Sequence, residues 1–301
     1  MGAGKFMTWK VGGVTITRVA ELDGAPFPGT FMFPQATPEL VRRHTWLRPH
    51  FAHEDGRLFG SIHSFVIESG KSRIIVDTCV GNDKARTIQA WNLLQGPFLD
   101  DLAQAGYPAE SIDTVLCTHL HVDHVGWNTR LVNGNWVPTF PNARYLFGRK
   151  EWEHWSSKQA EHRDGDVMGD SVRPIIDAGL AELVDMNHAL TPEVRLEPTP
   201  GHTPGHVSVR ISSHGEDAVI TGDLMHHPLQ CAEPDLANNF DVDTAVARRT
   251  RRDFLSRYAN KAVLVLGTHF APPTGGWVVD AEPAWRFDLT PPAGARKPFH
   301  R

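Results

Sequence analysis

The stretch Thr118-His119-Leu120-His121-Val122-Asp123-His124 decides how this chain reads. Three imidazoles and a carboxylate are packed into it, directly after an apolar run, Asp113-Thr114-Val115-Leu116-Cys117. That run is short and β-branched, so it predicts a buried strand with the polar cluster at its exit. His119 and His121 are two apart, and in extended chain both side chains point the same way. Asp123 and His124 follow where the chain turns and can aim at a neighbouring point. One metal at the first pair and a second at the other is the natural reading, because imidazole suits zinc and similar ions and carboxylate completes the set.

Three further units repeat this arrangement. Val194–Pro198 leads to Thr199-Pro-Gly-His202-Thr-Pro-Gly-His206, Asp217–Thr221 leads to Gly222-Asp223, and Lys261–Leu266 leads to Gly267-Thr268-His269. Each puts a candidate ligand just after a short apolar run, with a glycine nearby that lets the backbone turn tightly. Binding sites in α/β folds collect at the carboxyl ends of strands. Four such coincidences in one chain, with the His/Asp count of a two-metal site, are strong evidence.

Between these units the reading is plainer. Val11–Val19 predicts an outer strand, and Ser64–Glu68 with Arg73–Asp77 a hairpin around Ser69-Gly-Lys-Ser72. Asp77 at that strand end is read as orienting a neighbouring loop, with ligation the alternative. Ala25–Pro34 is too rich in Pro to be a regular element; it is a surface loop, a lid over a pocket or a dimer contact. Thr37-Pro38-Glu39 opens a short helix. Ala85–Leu94, Pro97–Ala105, Glu151–Arg163 and Asp243–Tyr258 also read as helices, the last with a buried stripe of Val246, Thr250, Phe254 and Tyr258. Its Arg248, Arg249, Arg251 and Arg252 are expected on a solvated face. Arg144–Phe147 is a strand, Asn133-Gly-Asn135 a turn, Asp164–Asp177 a long connection, and Pro272 onward an ordered arm without periodicity. His154 and His162 are expected at the surface. The division implied is an N-terminal segment 1–60, a core 61–270 and an arm 271–301, within one domain.

The 301 residues carry a net charge of −5, which argues against nucleic acid or an anionic membrane as partner. Cys79, Cys117 and Cys231 form no disulfide framework, and no stretch reaches transmembrane length. A cytoplasmic protein acting on a small molecule is expected, with a homodimer as a further expectation.

With these residues in place, the chain resembles the metallo-β-lactamase superfamily in its dinuclear hydrolase branch, over roughly Ser61 to Phe270. The resemblance implies an α/β fold, the αβ/βα four-layer sandwich of the metallo-β-lactamase type. It implies that His119, His121 and His202 hold a first metal, that Asp123, His124 and His269 hold a second, and that Asp223 bridges both. Two divalent ions follow, Zn2+ first, with Co, Mn or Fe as alternatives. A hydroxide shared between them attacks an ester-type bond, so no serine or cysteine nucleophile is needed. Asp123 would also carry a proton to the leaving group, and Asp77 would accept from a ligand imidazole.

Within that branch the ligand set and the TPGHTPGH segment resemble acyl-homoserine lactonases and methyl parathion hydrolase-like phosphotriesterases. The lactonases carry a tyrosine three residues after the bridging aspartate, where this chain has His226. That departure brings the phosphotriesterase and arylesterase relatives closer. His226 is a candidate acid or base at the substrate oxygen, with a packed imidazole the alternative. His206 and His227 are read as structural, and Pro26–Phe33 with Trp127 as an apolar wall for an acyl or aryl group. The rival classes are an iron-dependent persulfide dioxygenase, a nuclease and a non-catalytic metal binder.

Overall fold

The chain, described by a computed structural model over residues 6–157 and 164–294, is built from short apolar strands. In the first half these are β1 (Phe6–Val11), β2 (Val14–Asp23), β3 (Ser61–Ser69), β4 (Ser72–Val76), β5 (Thr114–Leu116), β6 (Thr129–Val132), β7 (Asn135–Pro138), β8 (Arg144–Gly148) and β9 (Ala181–Val184). Helices α1 (Gly29–Met32), α2 (Pro38–Arg43), α3 (Phe98–Gln104), α4 (Arg149–Trp155) and α5 (Arg173–Asp177) lie among them. The second half carries β10 (Val194–Pro198), β11 (Val207–Ser213), β12 (Glu216–Ile220), β13 (Val263–Leu266), β14 (Gly275–Ala281) and β15 (Ala284–Asp288), with α6 (Leu229–Ala232) and α7 (Thr244–Tyr258).

Two mixed sheets result. One runs β1-β2-β3-β4-β5-β8-β9, the other β10-β11-β12-β13-β14-β15, and β6-β7 is a separate hairpin. Ile16, Phe65, Ile74 and Leu116 from the first sheet meet Val209, Ile211, Ile220 and Leu266 from the second in a core between the sheets. The opposite faces are covered by helices: Val66, Ile75 and Val115 pack with Phe98 and Leu102, and Val219 and Val265 pack with Phe254 and Leu255. This is the four-layer αβ/βα sandwich. Strands buried on both faces read as continuous apolar runs, which is why their sequence signal was clear. β4 and β5 pair in parallel, as do β12 and β13, so the carboxyl ends of each pair open side by side.

Several segments depart from the sequence reading. Val11–Val19 crosses a hairpin turn at Gly12-Gly13, and β1 is the edge strand. Ala85–Leu94 is a loop with one 3-10 turn at Gln89–Trp91, because Arg86 N is taken by Asn92 Oδ1 (2.9 Å) and Leu93 N by Lys84 O (2.8 Å). Asp164–Asp177 contains a π-helical turn, Met168–Val172, running into α5. Gly29–Met32 forms one helical turn inside the Pro-rich segment, and Gly275–Asp288 is a β-hairpin of the second sheet. The end of the expected 151–163 helix, with His162, and the tail from 295 lie outside the described residues.

Helix α7 buries Ala247, Arg251, Phe254, Leu255 and Tyr258, so its stripe begins one residue later than expected. Arg251 is the correction to the solvated charge run. It is fully buried, and its guanidinium donates to the carbonyls of Leu224 (3.0 Å), Pro234 (2.8 Å) and Leu236 (3.0 Å). Arg249 and Arg252 are exposed, the latter paired with Asp235. Among the described residues, no helix is long and apolar enough to cross a membrane.

Candidate metal centre

The strand exits converge. His119, His121, His202 and Asp223 form one group of donors and Asp123, His124 and His269 another, each within 4.8 Å. His121 Nδ1 stands 3.1 Å from His119 Nε2 and 2.8 Å from His202 Nε2. His124 Nε2 and His269 Nε2 are 3.3 Å apart, and Asp123 reaches each at 3.6 Å. Asp223 lies between the groups: its Oδ2 is 3.7 Å from His119 Nε2, 3.4 Å from His202 Nε2 and 3.3 Å from His124 Nε2, and its Oδ1 is 3.1 Å from His269 Nε2.

These atoms fit metal ions better than they fit one another. A zinc–nitrogen bond of about 2.0–2.1 Å in a tetrahedron sets donors about 3.3 Å apart, close to the separations found. Outer partners also fix the tautomers. His269 Nδ1 donates to Ser61 O at 2.9 Å, while His202 Nδ1 faces Asp241 Oδ1 at 3.0 Å and His124 Nδ1 faces Asp77 Oδ2 at 3.0 Å. In the neutral form, with the proton held outside, His269 and His202 turn an Nε2 lone pair inward, while His124 Nδ1 is within ion-pair distance of Asp77 without a hydrogen bond. Buried Asp223 Oδ1 receives no hydrogen bond, although His269 Nε2 is near it. Converging lone pairs and an unsatisfied carboxylate oxygen are what a cation would relieve.

The electrostatics agree. Burial holds His119 and His202 well below the usual histidine range, so both are neutral, as ligation requires. Burial alone would raise Asp223, but His124, His269 and His226 around it carry its carboxyl well below the usual range. Burial likewise opposes charge on His269, yet Asp223 and Asp123 lift it to about 9. The second group is thus a place where positive charge is welcome.

Local geometry explains how the chain reaches this arrangement. Asp77 sits in the left-handed region (φ 57°) just after β4, which turns its carboxylate onto Thr118 N (2.7 Å) and Thr118 Oγ1 (2.9 Å) at the exit of β5. Glu151 of α4 is buried and accepts from Leu120 N (3.2 Å), Gly205 N (2.7 Å) and Trp155 Nε1 (2.8 Å), tying the two histidine loops together. His206 accepts from Asp223 N at 2.7 Å, and Gly222 (φ +57°) admits that ring because a Cβ there would meet it at 2.5 Å. His206 is therefore structural in a specific sense: it holds Asp223. His227 is structural too, contacting Phe51 O at 2.8 Å.

A cavity of 970 Å³ opens over the centre, reaching His121, Asp123, Asp223, His226 and His269. Phe27, Phe31, Met32, Trp91 and Phe240 give it an apolar wall, so the Pro/Phe-rich segment borders the pocket. Trp127 does not line it; it is buried, stacks on Phe98 (5.9 Å, 22°) and donates to Glu21 at 2.6 Å. His154 does line it, a correction to its surface assignment, and Trp155 packs its ring on His121 (5.2 Å). His226 is buried with Nε2 2.9 Å from Asp223 Oδ2 and its ring parallel to that of His269 (5.6 Å, 8°). Glu151 and Asp241 escaped the sequence reading because no spacing links them to the ligands and both act through contacts with distant segments: Glu151 with Leu120 N and Gly205 N, Asp241 with His202 Nδ1.

Known proteins share this architecture. The chain is 24% identical over 171 residues to an N-acyl homoserine lactonase of Bacillus cereus, a match spanning 52% of this chain and 60% of that protein. It is 25% identical over 193 residues to the probable metallo-hydrolase YybB of Bacillus subtilis (strain 168), covering 62% of this chain and 74% of that protein. Among solved structures, AidC, a dizinc quorum-quenching lactonase in complex with a product, superposes with a TM-score of 0.77 at 19% identity, covering 95% of this chain and 97% of AidC. The hydrolase AbOPH superposes at 0.78 and 23% identity, covering 98% and 100%. At such identities the likeness is one of fold. The family model of the metallo-beta-lactamase superfamily matches residues 57–269, a span that contains all seven converging side chains, and the chain belongs to that superfamily.

Proposed function

We propose that the protein is a dinuclear metal-dependent hydrolase that opens a lactone or aryl ester carrying an apolar acyl or aryl group. The observation that carries this is a pair of adjacent donor groups bordering a largely apolar cavity, with Asp223 of the first group 3.3 Å from His124 and 3.1 Å from His269 of the second. His119, His121 and His202 would hold one ion, Asp123, His124 and His269 the other, with Asp223 common to both. When bound, two such ions make a shared water nucleophilic at neutral pH and polarise the substrate oxygen. The chain's own residues do the rest. Phe27, Phe31, Met32 and Phe240 exclude water and seat the apolar group. Asp123, at the cavity floor, takes the proton released on attack and passes it to the leaving oxygen. His226, beside Asp223, donates to the substrate oxygen as charge develops there.

His226, standing where lactonases of this branch carry a tyrosine, favours a second reading, phosphotriester hydrolysis at the same centre. The test is metal analysis of purified protein, then assay of lactones, aryl esters, phosphotriesters and β-lactams. About two zinc-like ions per chain and turnover of a lactone or aryl ester are expected. A single redox-active iron with oxygen consumption would overturn the reading in favour of an oxidoreductase.

A further inference from the structure

A second buried charge cluster lies away from the metal centre and joins two separate pieces of the cavity wall. Asp170, on the π-helical turn, takes both terminal nitrogens of Arg86: Nη1 donates to Oδ2 at 2.7 Å and Nη2 to Oδ1 at 3.0 Å. Ser171 Oγ donates to Oδ1 at 2.6 Å. Lys84, fully buried over the Trp136 ring (3.6 Å), donates to Thr129 Oγ1 at 2.9 Å, and the Thr129 hydroxyl donates to the Asp170 carbonyl. The two chain segments touch elsewhere as well. Thr87 Oγ1 donates to Asp164 Oδ1 at 2.9 Å, and Gly165 (φ +102°) lies so close that a Cβ would meet Ala85 O at 2.3 Å. Residues 84–96 and 164–172 are thereby bound into one body.

That body faces the cavity. Ile88, Ala90 and Trp91 line it from the first segment, and Asp164 and Val167 from the second. None of the seven converging donors belongs to either segment. Residues 84–96 contain only one 3-10 turn, so no regular hydrogen-bond ladder holds Trp91 in place. A buried ion pair adds little stability over apolar packing, but it sets one geometry. π-Helical turns also recur at functional sites.

We propose that Asp170 is a specificity-determining positioning residue: by clamping Arg86 it holds the Ile88–Trp91 wall where that wall meets the apolar arm of the substrate. This rests on the ester-hydrolase reading above. An arm long enough to reach the wall gains contact from a preorganised surface, and a short ester does not reach it. Loosening the wall then raises KM for long-arm substrates and leaves the chemistry at the metal centre unchanged.

The test uses the metal-loaded 301-residue chain with p-nitrophenyl esters from acetyl to decanoyl, together with decanoate binding by calorimetry. Asp170→Asn is expected to raise KM for the decanoyl ester and weaken decanoate binding by about tenfold or more, equivalent to roughly 1.4 kcal/mol. KM for the acetyl ester, kcat throughout and metal content are expected to stay within about twofold, a change well below that tenfold step. Trp91→Ala, at a partly exposed position, is expected to give the same split. Should Asp170→Asn not fold, Arg86→Gln carries the test, since Lys84 Nζ remains 4.0 Å from the Asp170 carboxylate. A folded variant with an unchanged chain-length profile, or with losses equal at all chain lengths, overturns the proposal; so does unfolding of both clamp variants, which would make the cluster core support alone. If the wild type hydrolyses no ester, the functional reading fails, while decanoate affinity that falls in Asp170→Asn still upholds the clamp.

Discussion

His202 illustrates what one imidazole at this centre requires of its neighbours. Its Nε2 can face the other donors only because Asp241 takes its Nδ1 at 3.0 Å. Removing that acceptor frees the ring to rotate and lowers its basicity, so Asp241→Ala is expected to weaken zinc binding by about 10–100-fold, read by competition with a chelator. His121→Ala and Asp223→Ala remove candidate donors outright and are expected to lose metal and abolish hydrolysis; full activity in either would refute the ligand assignment. His226→Phe separates binding from chemistry. It should retain metal content and lower kcat by about 10²-fold if the ring donates to the substrate oxygen, whereas an unchanged kcat would make His226 a bystander.

At the scale of elements, β3, β4, β5, β8, β10, β12 and β13 were legible because buried strands have few ways to be written, whereas β9, β11, β14 and β15 were not read as strands. β10 spans Val194–Pro198 as the apolar run indicated, and the turn between β6 and β7 is at Asn133-Gly134. The loop 85–94 was misread as a helix because its local propensities are acceptable, and the forces that unwind it are distant: Asp170 lies far along the chain and draws Arg86 out of any helical register. Arg251 deceived for the same reason, since only the folded chain supplies the three carbonyls that satisfy it. Helix α4 carries a further consequence. Glu151 satisfies backbone N–H groups of both histidine loops, so Glu151→Ala leaves Leu120 N and Gly205 N buried without an acceptor. Each such group costs about 1–3 kcal/mol. Chemical denaturation should therefore show a loss of at least about 2 kcal/mol, together with weaker metal retention.

For the whole molecule, buried neutral histidine ties stability to pH. Burial lowers His227 from 6.5 to about 4, with its contact to Phe51 O only partly offsetting this. The unfolded chain takes up its proton near pH 6.5 and the folded one only near pH 4, so this ring's contribution is complete above 6.5 and is lost as pH falls toward 4. The full effect is about 3 kcal/mol. Urea midpoints measured from pH 7 to pH 4 should fall less steeply in His227→Gln than in the wild type; parallel curves would show that the ring titrates normally.

Local sequence was enough to mark the runs that form β3, β4, β5, β8, β10, β12 and β13 and the candidate donors that follow some of them, because burial demands apolar runs and metal-type side chains stand out at their ends. Only the tertiary structure decided which outer groups aim those donors, where Glu151, Asp241 and Asp170 belong, and which residues wall the cavity. Those roles depend on contacts between segments far apart in the chain, which local composition and spacing do not encode.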